Sequence, residues 1–301
     1  MTPEALGAAL VRGKPGPIAK LYVGDCRDVL ADMDDCSVHL TLTDPPYFLD
    51  RLDDRWDQDK IDYSRTHRAA EVIGGLPIGM KFDPAQGRKL QAFLEPVAAE
   101  LFRVLKPGGF LLMFAAPRLY HRAAVAVEEA GFEIRDAYAW RFTQRAQFKA
   151  FTMDHFIRKR NDMTDSEKTE AIHRISGRRT PQLRPQFEAI MCAQKPREGT
   201  FVDSWLAHET GLIDARQTLT GRVPETVMTV EKQKRGNGNG HLTPKPVRLC
   251  EHLIRVFSAE GQTVLDPFVG SGSTCLAAQR TGRHSIGIDV DPEFILSLIH
   301  I

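Results

Sequence analysis

The sequence predicts an α/β protein built on a largely parallel β-sheet. Short apolar runs, typical of buried strands, alternate with segments whose apolar residues recur every three or four positions, as in helices. This alternation occupies residues 21–140 and returns in residues 246–288. Strands that alternate with helices at this spacing are typical of parallel sheets. With 301 residues, 42% of them hydrophobic and 26% charged, the chain can bury one large core, or one core plus an inserted module.

The first run of elements follows Gly13-Lys14-Pro15-Gly16-Pro17, a helix-breaking cluster that predicts a loosely packed N-terminal arm over residues 1–18. Residues 48–87 are rich in charge, glycine and proline, and predict a long loop with at most a short helix. Lys106-Pro107-Gly108-Gly109 predicts a helix end. The predicted elements are a strand at 21–23, a helix at 27–33, a strand at 37–43, a helix at 90–105, a strand at 110–114, a helix at 119–130 and a strand at 132–140.

The alternation breaks down over residues 141–240, which contain basic clusters, scattered prolines and the flexible linker Gly236-Asn237-Gly238-Asn239-Gly240. We therefore predict one α/β domain, residues 19–140 and 241–301, with 141–240 inserted as a basic module. The elements predicted after the insert are a helix at 246–257, a strand at 263–265, a helix ending at 280 and a strand at 285–288.

Charge is unevenly distributed although the net charge is only +1. Residues 25–62 carry 12 acidic against 4 basic side chains, whereas residues 141–197 carry 13 basic against 6 acidic ones. The basic segment predicts a face that binds a polyanion, and its alternative is an ordinary solvated surface. The five cysteines are odd in number and show no CxxC spacing, which disfavours zinc and a disulfide framework and favours a reducing, cytoplasmic compartment. No apolar stretch reaches the roughly 18 residues of a membrane span, and the N-terminus lacks a signal-peptide pattern.

Two motifs carry chemistry. Asp266-Pro267-Phe268-Val269-Gly270-Ser271-Gly272-Ser273-Thr274 is a strand-to-helix turn with two glycines, which permit positive φ and close ligand approach, although a purely structural turn has the same pattern. About 20 residues on, Asp289 ends the next strand, where an acid binds ribose hydroxyls in Rossmann-like sheets. The three-glycine dinucleotide fingerprint is absent, which disfavours NAD. The second motif, Thr43-Asp44-Pro45-Pro46-Tyr47, follows the apolar run 38–42 and could alone be a rigid turn.

Together, in this order, the two motifs resemble the β class of amino-methylating DNA methyltransferases, in which the catalytic block precedes the cofactor block. The resemblance covers most of residues 20–294. It implies a Rossmann-like, S-adenosyl-L-methionine-dependent methyltransferase fold with circularly permuted motif order and an inserted target-recognition region. Many β-class relatives are dimers, so the resemblance also implies a homodimer as an expectation.

The resemblance implies a cofactor role for two groups of residues. Thr243 and Lys245 would lie near the cofactor carboxylate, although Lys245 could instead be a surface lysine at a helix start. Asp25 and Cys26 would contact adenine, although Asp25 could be only a helix cap. Asp289 would hold the ribose, and the residues implied around the methionine moiety and its turn are Asp266, Pro267, Phe268, Gly270, Gly272 and Thr274.

The resemblance implies a catalytic role for Asp44, Pro45, Pro46 and Tyr47. The Asp44 carboxylate and the Pro45 carbonyl would accept hydrogen bonds from an exocyclic amine and draw its lone pair out of conjugation, while Tyr47 would stack on a flipped-out base. An aspartate in this place is typical of adenine-N6 enzymes, whereas cytosine-N4 enzymes more often carry serine. Cytosine N4 methylation and a catalytically silent nucleic-acid-binding module stay open as alternatives.

The insert is predicted to bind double-stranded DNA through phosphate contacts. Residues 140–145 and 184–188 resemble elements that flank the substrate cleft in this family. After residue 294 the family has a substantial amphipathic helix, whereas residues 295–301 are apolar all round, which predicts a truncated or altered C-terminus. The candidate DNA-binding residues are Arg141, Arg145, Arg158, Lys159, Arg160, Arg178 and Arg179.

Overall fold

The computed structural model describes residues 16–47, 72–73, 76–77, 84–142, 150–181, 183–232 and 244–298. The strands are β1 Ala19–Val23, β2 Val38–Thr43, β3 Val72–Ile73, β4 Leu76–Pro77, β5 Leu105–Ala115, β6 Glu133–Arg141, β7 Phe187–Gln194, β8 Val227–Thr229, β9 Thr263–Asp266 and β10 His284–Asp289. The helices are α1 Cys26–Ala31, α2 Pro84–Val104, α3 Tyr120–Glu129, α4 Asp154–Arg158, α5 Asp165–Arg174, α6 Phe201–His208, α7 Val247–Phe257, α8 Ser273–Arg280 and α9 Pro292–Leu298.

Eight of the strands form one mixed sheet in the order β1-β10-β9-β2-β5-β7-β6-β8. The first five strands in this order, β1, β10, β9, β2 and β5, are mutually parallel. The strand β7 runs antiparallel to both β5 and β6, and β8 pairs with β6 in parallel. The predicted α/β fold with a mostly parallel, mixed sheet is therefore confirmed.

Both faces of the sheet are covered by helices, which explains why its central strands are almost continuously apolar. Along β5, Leu111 and Met113 pack against α2 and α3, while Leu112 and Phe114 point to the other face and pack against α7. Alternate side chains of a strand point to opposite faces, so each of these residues adds to one of two cores. Burial on both faces fixes the strand ends in space, and the candidate site lies at those ends.

The structure differs from the sequence prediction around α2. This helix begins at Pro84, six residues before the predicted start at Leu90, because proline is well suited to the first helical position, where its missing N–H would have no partner. The helix ends at Val104 and β5 begins at the next residue. Lys106-Pro107-Gly108-Gly109 is therefore not a helix end but a bulge inside β5, where the register jumps between the pairs Val38–Leu105 and Leu40–Phe110.

The range 141–240, over which the alternation of strands and helices breaks down in sequence, contains β7, β8 and three helices. The strand β7 lies between β5 and β6 and its residues 189–194 are buried, so this part of the range belongs to the central sheet and not to a separate insert. Two helices begin with capping boxes, Thr164 with Glu167 and Thr200 with Asp203, a local signal that the sequence analysis missed.

Several predicted segments lie outside the described residues: most of the N-terminal arm, residues 48–71, and the linker 236–240. Residues 292–298 form α9, which includes the start of the apolar stretch 295–301, and pack through Ile295 and Leu298 against Leu21, Val269 and Cys275. No helix in the described ranges is long and apolar enough to cross a membrane. All five cysteines are free thiols.

Candidate active site

Four acidic residues follow four neighbouring parallel strands and therefore meet at one edge of the sheet. Asp25 follows β1, Asp289 ends β10, Asp266 ends β9 and Asp44 follows β2. The carboxyl ends of parallel strands point the same way, and ligands of open α/β sheets bind outside that edge. The pairing of β2 with β9 brings the two sequence motifs side by side, since Thr41 lies opposite Leu265.

The two motifs are joined directly through Asp266. The Thr43 hydroxyl donates a hydrogen bond of 2.8 Å to Asp266 Oδ1, which also accepts one of 3.1 Å from the Phe268 amide. Asp266 is buried, and burial raises the pKa of its carboxyl to about 6 although these hydrogen bonds favour the ionised form. A carboxyl with this pKa is protonated over a wider range of pH than an ordinary aspartate.

Asp289 organises the glycine turn. Its Oδ2 accepts a 2.9 Å hydrogen bond from the Gly270 amide and its Oδ1 accepts one of 2.9 Å from the Asp291 amide. Gly270 has φ +46°, in the left-handed region that favours glycine. An ionised carboxylate has about four acceptor positions, so it can bind several donors at once.

Gly272 has a structural reason to be glycine. Its φ is +75°, and a Cβ there would lie 2.3 Å from Leu298 Cδ2 on α9. Close packing against α9 is therefore sufficient to explain a glycine at this position, without a ligand. Thr274, in the first turn of α8, is also buried and donates to the Leu42 carbonyl at 3.4 Å. Pro267, directly after Asp266, is buried as well.

Two aromatic rings lie beside the glycine turn. The ring centroids of Phe93 on α2 and Phe268 are 5.9 Å apart, and the Arg27 guanidinium lies 5.8 Å from the Phe93 ring. Arg27 also bonds the Asp25 carboxylate, with Nε 2.9 Å from Oδ1, and this pairing holds the pKa of Asp25 below its usual value. Asp25 caps α1 as well, accepting from the Arg27 amide, so its alternative role as a helix cap is present in the structure. The Cys26 thiol is fully buried in the core.

Asp44 is held through both carboxylate oxygens. The Tyr47 hydroxyl donates to Oδ1 at 2.6 Å, and the Lys245 ammonium lies 2.5 Å from Oδ2. Pro45 and Pro46, between Asp44 and Tyr47, are buried, which fixes the loop that carries both groups. Lys245 is thus not the surface lysine that the sequence left open: it is a buried partner of Asp44.

Lys245 has a second acidic partner that the sequence analysis did not assign to the site. Glu188 Oε2 lies 3.3 Å from the Lys245 ammonium, and Glu188 Oε1 lies 3.0 Å from Lys232. Burial acts to lower the pKa of Lys245, but Asp44 and Glu188 outweigh it and the pKa is raised. Burial likewise acts to raise the pKa of Glu188, and the two ammonium groups outweigh it and lower the pKa. Only the pairing of β5 with β7 reveals this cluster, since its members lie far apart in sequence.

The basic residues predicted to bind DNA are exposed wherever the structure describes them. Arg141 ends β6 with an exposed side chain. Arg158, Lys159 and Arg160 follow one another at the end of α4 and are exposed, with Arg160 Nε 2.8 Å from Asp162 Oδ1. Arg178 and Arg179 are exposed beyond α5, and Arg179 donates to the Ala150 carbonyl at 3.3 Å. Thr243 and Arg145 lie outside the described residues.

Comparison with known proteins identifies the family. The family model for a DNA methylase, covering N6 and N4 enzymes, matches residues 38–299. The chain belongs to this family. It is 30% identical over 291 residues to the type II methyltransferase M.HindIII of Haemophilus influenzae, covering 89% of this chain and 90% of that one. The methyltransferase family implies S-adenosyl-L-methionine as cofactor, as the sequence resemblance predicted.

Solved structures agree with the fold. The PvuII DNA methyltransferase, described as cytosine-N4-specific, superimposes with a TM-score of 0.63 at 15% identity, covering 96% of this chain and 87% of that one. The M1.HpyAVI–SAM complex gives a TM-score of 0.55 at 19% identity, covering 93% of this chain and 96% of that one. At these identities the likeness establishes the methyltransferase fold and does not choose between adenine and cytosine.

Proposed function

We propose that this DNA methylase transfers a methyl group from S-adenosyl-L-methionine to the exocyclic N6 of a flipped-out adenine in double-stranded DNA. The observation that carries the proposal is Asp44, which lies beside the cofactor block with both oxygens oriented by Tyr47 and Lys245. Bound S-adenosyl-L-methionine supplies an electrophilic methyl group on a sulfonium centre. The residues of this chain orient the amine that receives it.

The carboxylate of Asp44 meets the need of a poorly nucleophilic amine. The lone pair of an aromatic amine is delocalised into the ring, and an acceptor on each N–H draws the nitrogen toward tetrahedral geometry. Tyr47 and Lys245 occupy one position on each oxygen of Asp44, which leaves acceptor positions for an incoming N–H. The Pro45 carbonyl is the proposed second acceptor. After transfer, the methylated nitrogen is acidic and loses its proton without a strong base.

The glycine-turn residues fit the cofactor chemically. The Asp289 carboxylate would accept hydrogen bonds from the ribose hydroxyls, and the Phe93 and Phe268 rings offer apolar surface beside the glycine turn. Asp266, Gly270 and Phe268 would line the methionine moiety. Asp25 and Cys26 would lie nearest the adenine ring. Lys245, which the sequence predicts near the cofactor carboxylate, is paired with Asp44.

Cytosine N4 is the alternative target. Asp44 as the first residue of its motif favours adenine, because cytosine-N4 members more often have serine there. The PvuII enzyme is cytosine-N4-specific by its description, yet it shares only 15% identity with this chain and supports the fold alone. The type II methyltransferase relative supports a restriction–modification setting.

The exposed basic residues Arg141, Arg158, Lys159, Arg160, Arg178 and Arg179 would contact phosphates. We also infer a cytoplasmic setting from the five free thiols, and a homodimer from the family alone. Sedimentation of the purified protein at several concentrations would test the dimer.

Product analysis tests the proposed reaction. The protein is incubated with methyl-labelled S-adenosyl-L-methionine and unmethylated double-stranded DNA, and the digested nucleosides are identified by mass. N6-methyladenine is the expected product, and N4-methylcytosine would replace the adenine proposal by its alternative. Asp44→Ala should lower methyl transfer by at least about 100-fold while cofactor affinity stays nearly unchanged, because the lost group acts at the amine. Near-normal transfer by this variant would remove Asp44 from the catalytic role.

A further inference from the structure

A chain of alternating charges runs from the edge of the basic region to the candidate catalytic carboxylate. Lys232 contacts Glu188, Glu188 contacts Lys245, and Lys245 contacts Asp44, at 3.0, 3.3 and 2.5 Å respectively. The side chains of Lys245, Glu188 and Asp44 are 9%, 19% and 29% exposed. Lys232, at the other end of the chain of charges, is 32% exposed, so both ends reach water and the Lys245 ammonium between them is the most buried member.

Glu188 does not reach Asp44 and acts through Lys245. Its Oε2 is buried and makes no hydrogen bond within the part of the chain that the structure describes, so the Lys245 ammonium at 3.3 Å is its charge partner. Its Oε1 is fixed by Lys232, whose ammonium also lies 3.8 Å from the Phe142 ring centroid. The carboxylate is thereby anchored on one side and presented to Lys245 on the other.

The geometry explains why one carboxylate would not suffice. A fully desolvated ammonium tends to lose its proton, and a single carboxylate that must also bind the target amine is shared between two donors. The ring of Phe114, 5.0 Å from the Lys245 ammonium, adds a weaker attraction. Glu188 supplies a second negative charge that the substrate does not use.

We propose that Glu188 is a positioning residue of the methyl-transfer site, which keeps the Lys245 ammonium charged and directed at Asp44 so that the Asp44 carboxylate is fixed for the target amine. This inference rests on the proposed catalytic role of Asp44. The strand β7, which lies between the two motifs in sequence, would then contribute to the chemical step through Glu188.

The pH dependence of the step distinguishes this role from simple structural support. The charged and titratable groups around Lys245 are Asp44 and Tyr47 after β2, Glu188 on β7 with Lys232 behind it, Cys250 on α7 and Asp266 on β9. When Glu188 becomes neutral, Lys245 loses one of its two contacting anions while its burial is unchanged. Its pKa then falls, and the protonated, active form is lost at a lower pH than in the wild-type protein.

The test compares Glu188→Gln with the wild type in single turnovers, with labelled S-adenosyl-L-methionine limiting and enzyme and unmethylated DNA in excess. The expected loss of the transfer rate is about 10- to 100-fold at about pH 7, and larger at about pH 9, with cofactor affinity measured by calorimetry within about twofold of wild type. Glu188→Asp keeps the charge on a shorter side chain and should recover part of the rate. The control Glu133→Gln removes a partly exposed carboxylate on β6 that pairs with Arg135 of the same strand, and should change none of these quantities.

A transfer rate of Glu188→Gln within about twofold of wild type at both pH values would overturn the proposal. A loss of rate that is the same at about pH 7 and about pH 9 would also overturn it, and so would the same loss in Glu188→Gln and Glu188→Asp. Thermal unfolding checks that the variants fold. If Glu188→Gln does not fold, Glu188→Asp decides the question, since the proposal requires an intermediate rate with the same trend in pH. The wild-type product separates this question from the proposed function: N4-methylcytosine would refute the adenine proposal and leave the comparison of Glu188 variants valid on that base.

Discussion

Replacing Lys245 by methionine should destabilise the fold at neutral pH and much less in acid. Methionine has a similar length and removes only the ammonium, which leaves Asp44 and Glu188 facing each other across the vacated position. Breaking a buried ion pair costs about 3–5 kcal/mol. Each carboxylate keeps one partner, Tyr47 at 2.6 Å or Lys232 at 3.0 Å, and Asp44 is 29% exposed. We therefore expect the lower end of that range, about 3 kcal/mol, or a fall in Tm of roughly 6 °C.

The sign of the pH effect follows from the two shifted groups. The pKa of Glu188 is lowered in the fold, so its contribution is present above its unfolded value of about 4.5 and is lost as pH falls through the folded pKa. The pKa of Lys245 is raised, so its contribution is present below about 10.5 and is lost as pH rises through the folded pKa. The difference in stability between wild type and Lys245→Met should thus be largest near pH 7 and should decrease below about pH 4.5.

Thermal unfolding of both proteins across this pH range measures the difference. Lys168→Met is the matched control, because Lys168 lies 3.8 Å from a fully exposed carboxylate of Asp165 and its loss should leave Tm unchanged. Equal Tm values for wild type and Lys245→Met at neutral pH would refute the ion-pair argument. A loss of the same size in acid would show that packing, not charge, is responsible.

Three further predictions concern other parts of the molecule. Asp289→Ala should weaken S-adenosyl-L-methionine binding by about 1.5–3 kcal/mol, and calorimetry with unaltered affinity for the cofactor would exclude it from the site. Neutralising Arg158, Lys159 and Arg160 together should weaken DNA binding equally across sequences and reduce the slope of log affinity against log salt by roughly 0.9 for each lost contact; an unchanged slope would mean that DNA binds elsewhere. The pKa of Asp266 is raised to about 6, so the folded state binds this proton more tightly than the unfolded chain does. Asp266→Asn should therefore gain stability relative to wild type as pH rises from about 4 to about 6. Denaturant titrations that show no such trend would contradict the raised pKa.

The parts of the site that sequence predicts are those that follow strands. Asp44, Asp266 and Asp289 each come directly at or after a buried apolar run, and parallel strands bring such positions to one edge whatever their separation along the chain. The family resemblance supplied their order, and the structure places all three at that edge. Local patterns were sufficient here because the direction of each strand was the same.

Glu188 and Lys245 could not be paired in this way. The strand β7 follows the helices α4 and α5, and nothing in its own sequence indicates that it runs antiparallel between β5 and β6. An antiparallel strand begins where its parallel neighbours end, so residue 188 lies at the same edge as residue 44, next to the pair Ala115–Ala189. Non-local pairing of this kind is set by packing of the whole sheet and leaves no short-range signal.

The contact that joins the two motifs has a consequence for how the site keeps its geometry. Thr43 and Asp266 lie 223 positions apart, and their 2.8 Å hydrogen bond is buried between the ends of adjacent strands. The same Thr43 directly precedes Asp44, and the same Asp266 bonds the Phe268 amide at the start of the glycine turn. A displacement of the cofactor turn is therefore transmitted to the residue beside the catalytic carboxylate through two hydrogen bonds. Interiors are close-packed and deform little. If Asp44 binds the target amine as proposed, this junction, rather than the long segments that connect the motifs, would set the distance between the amine and the methyl donor.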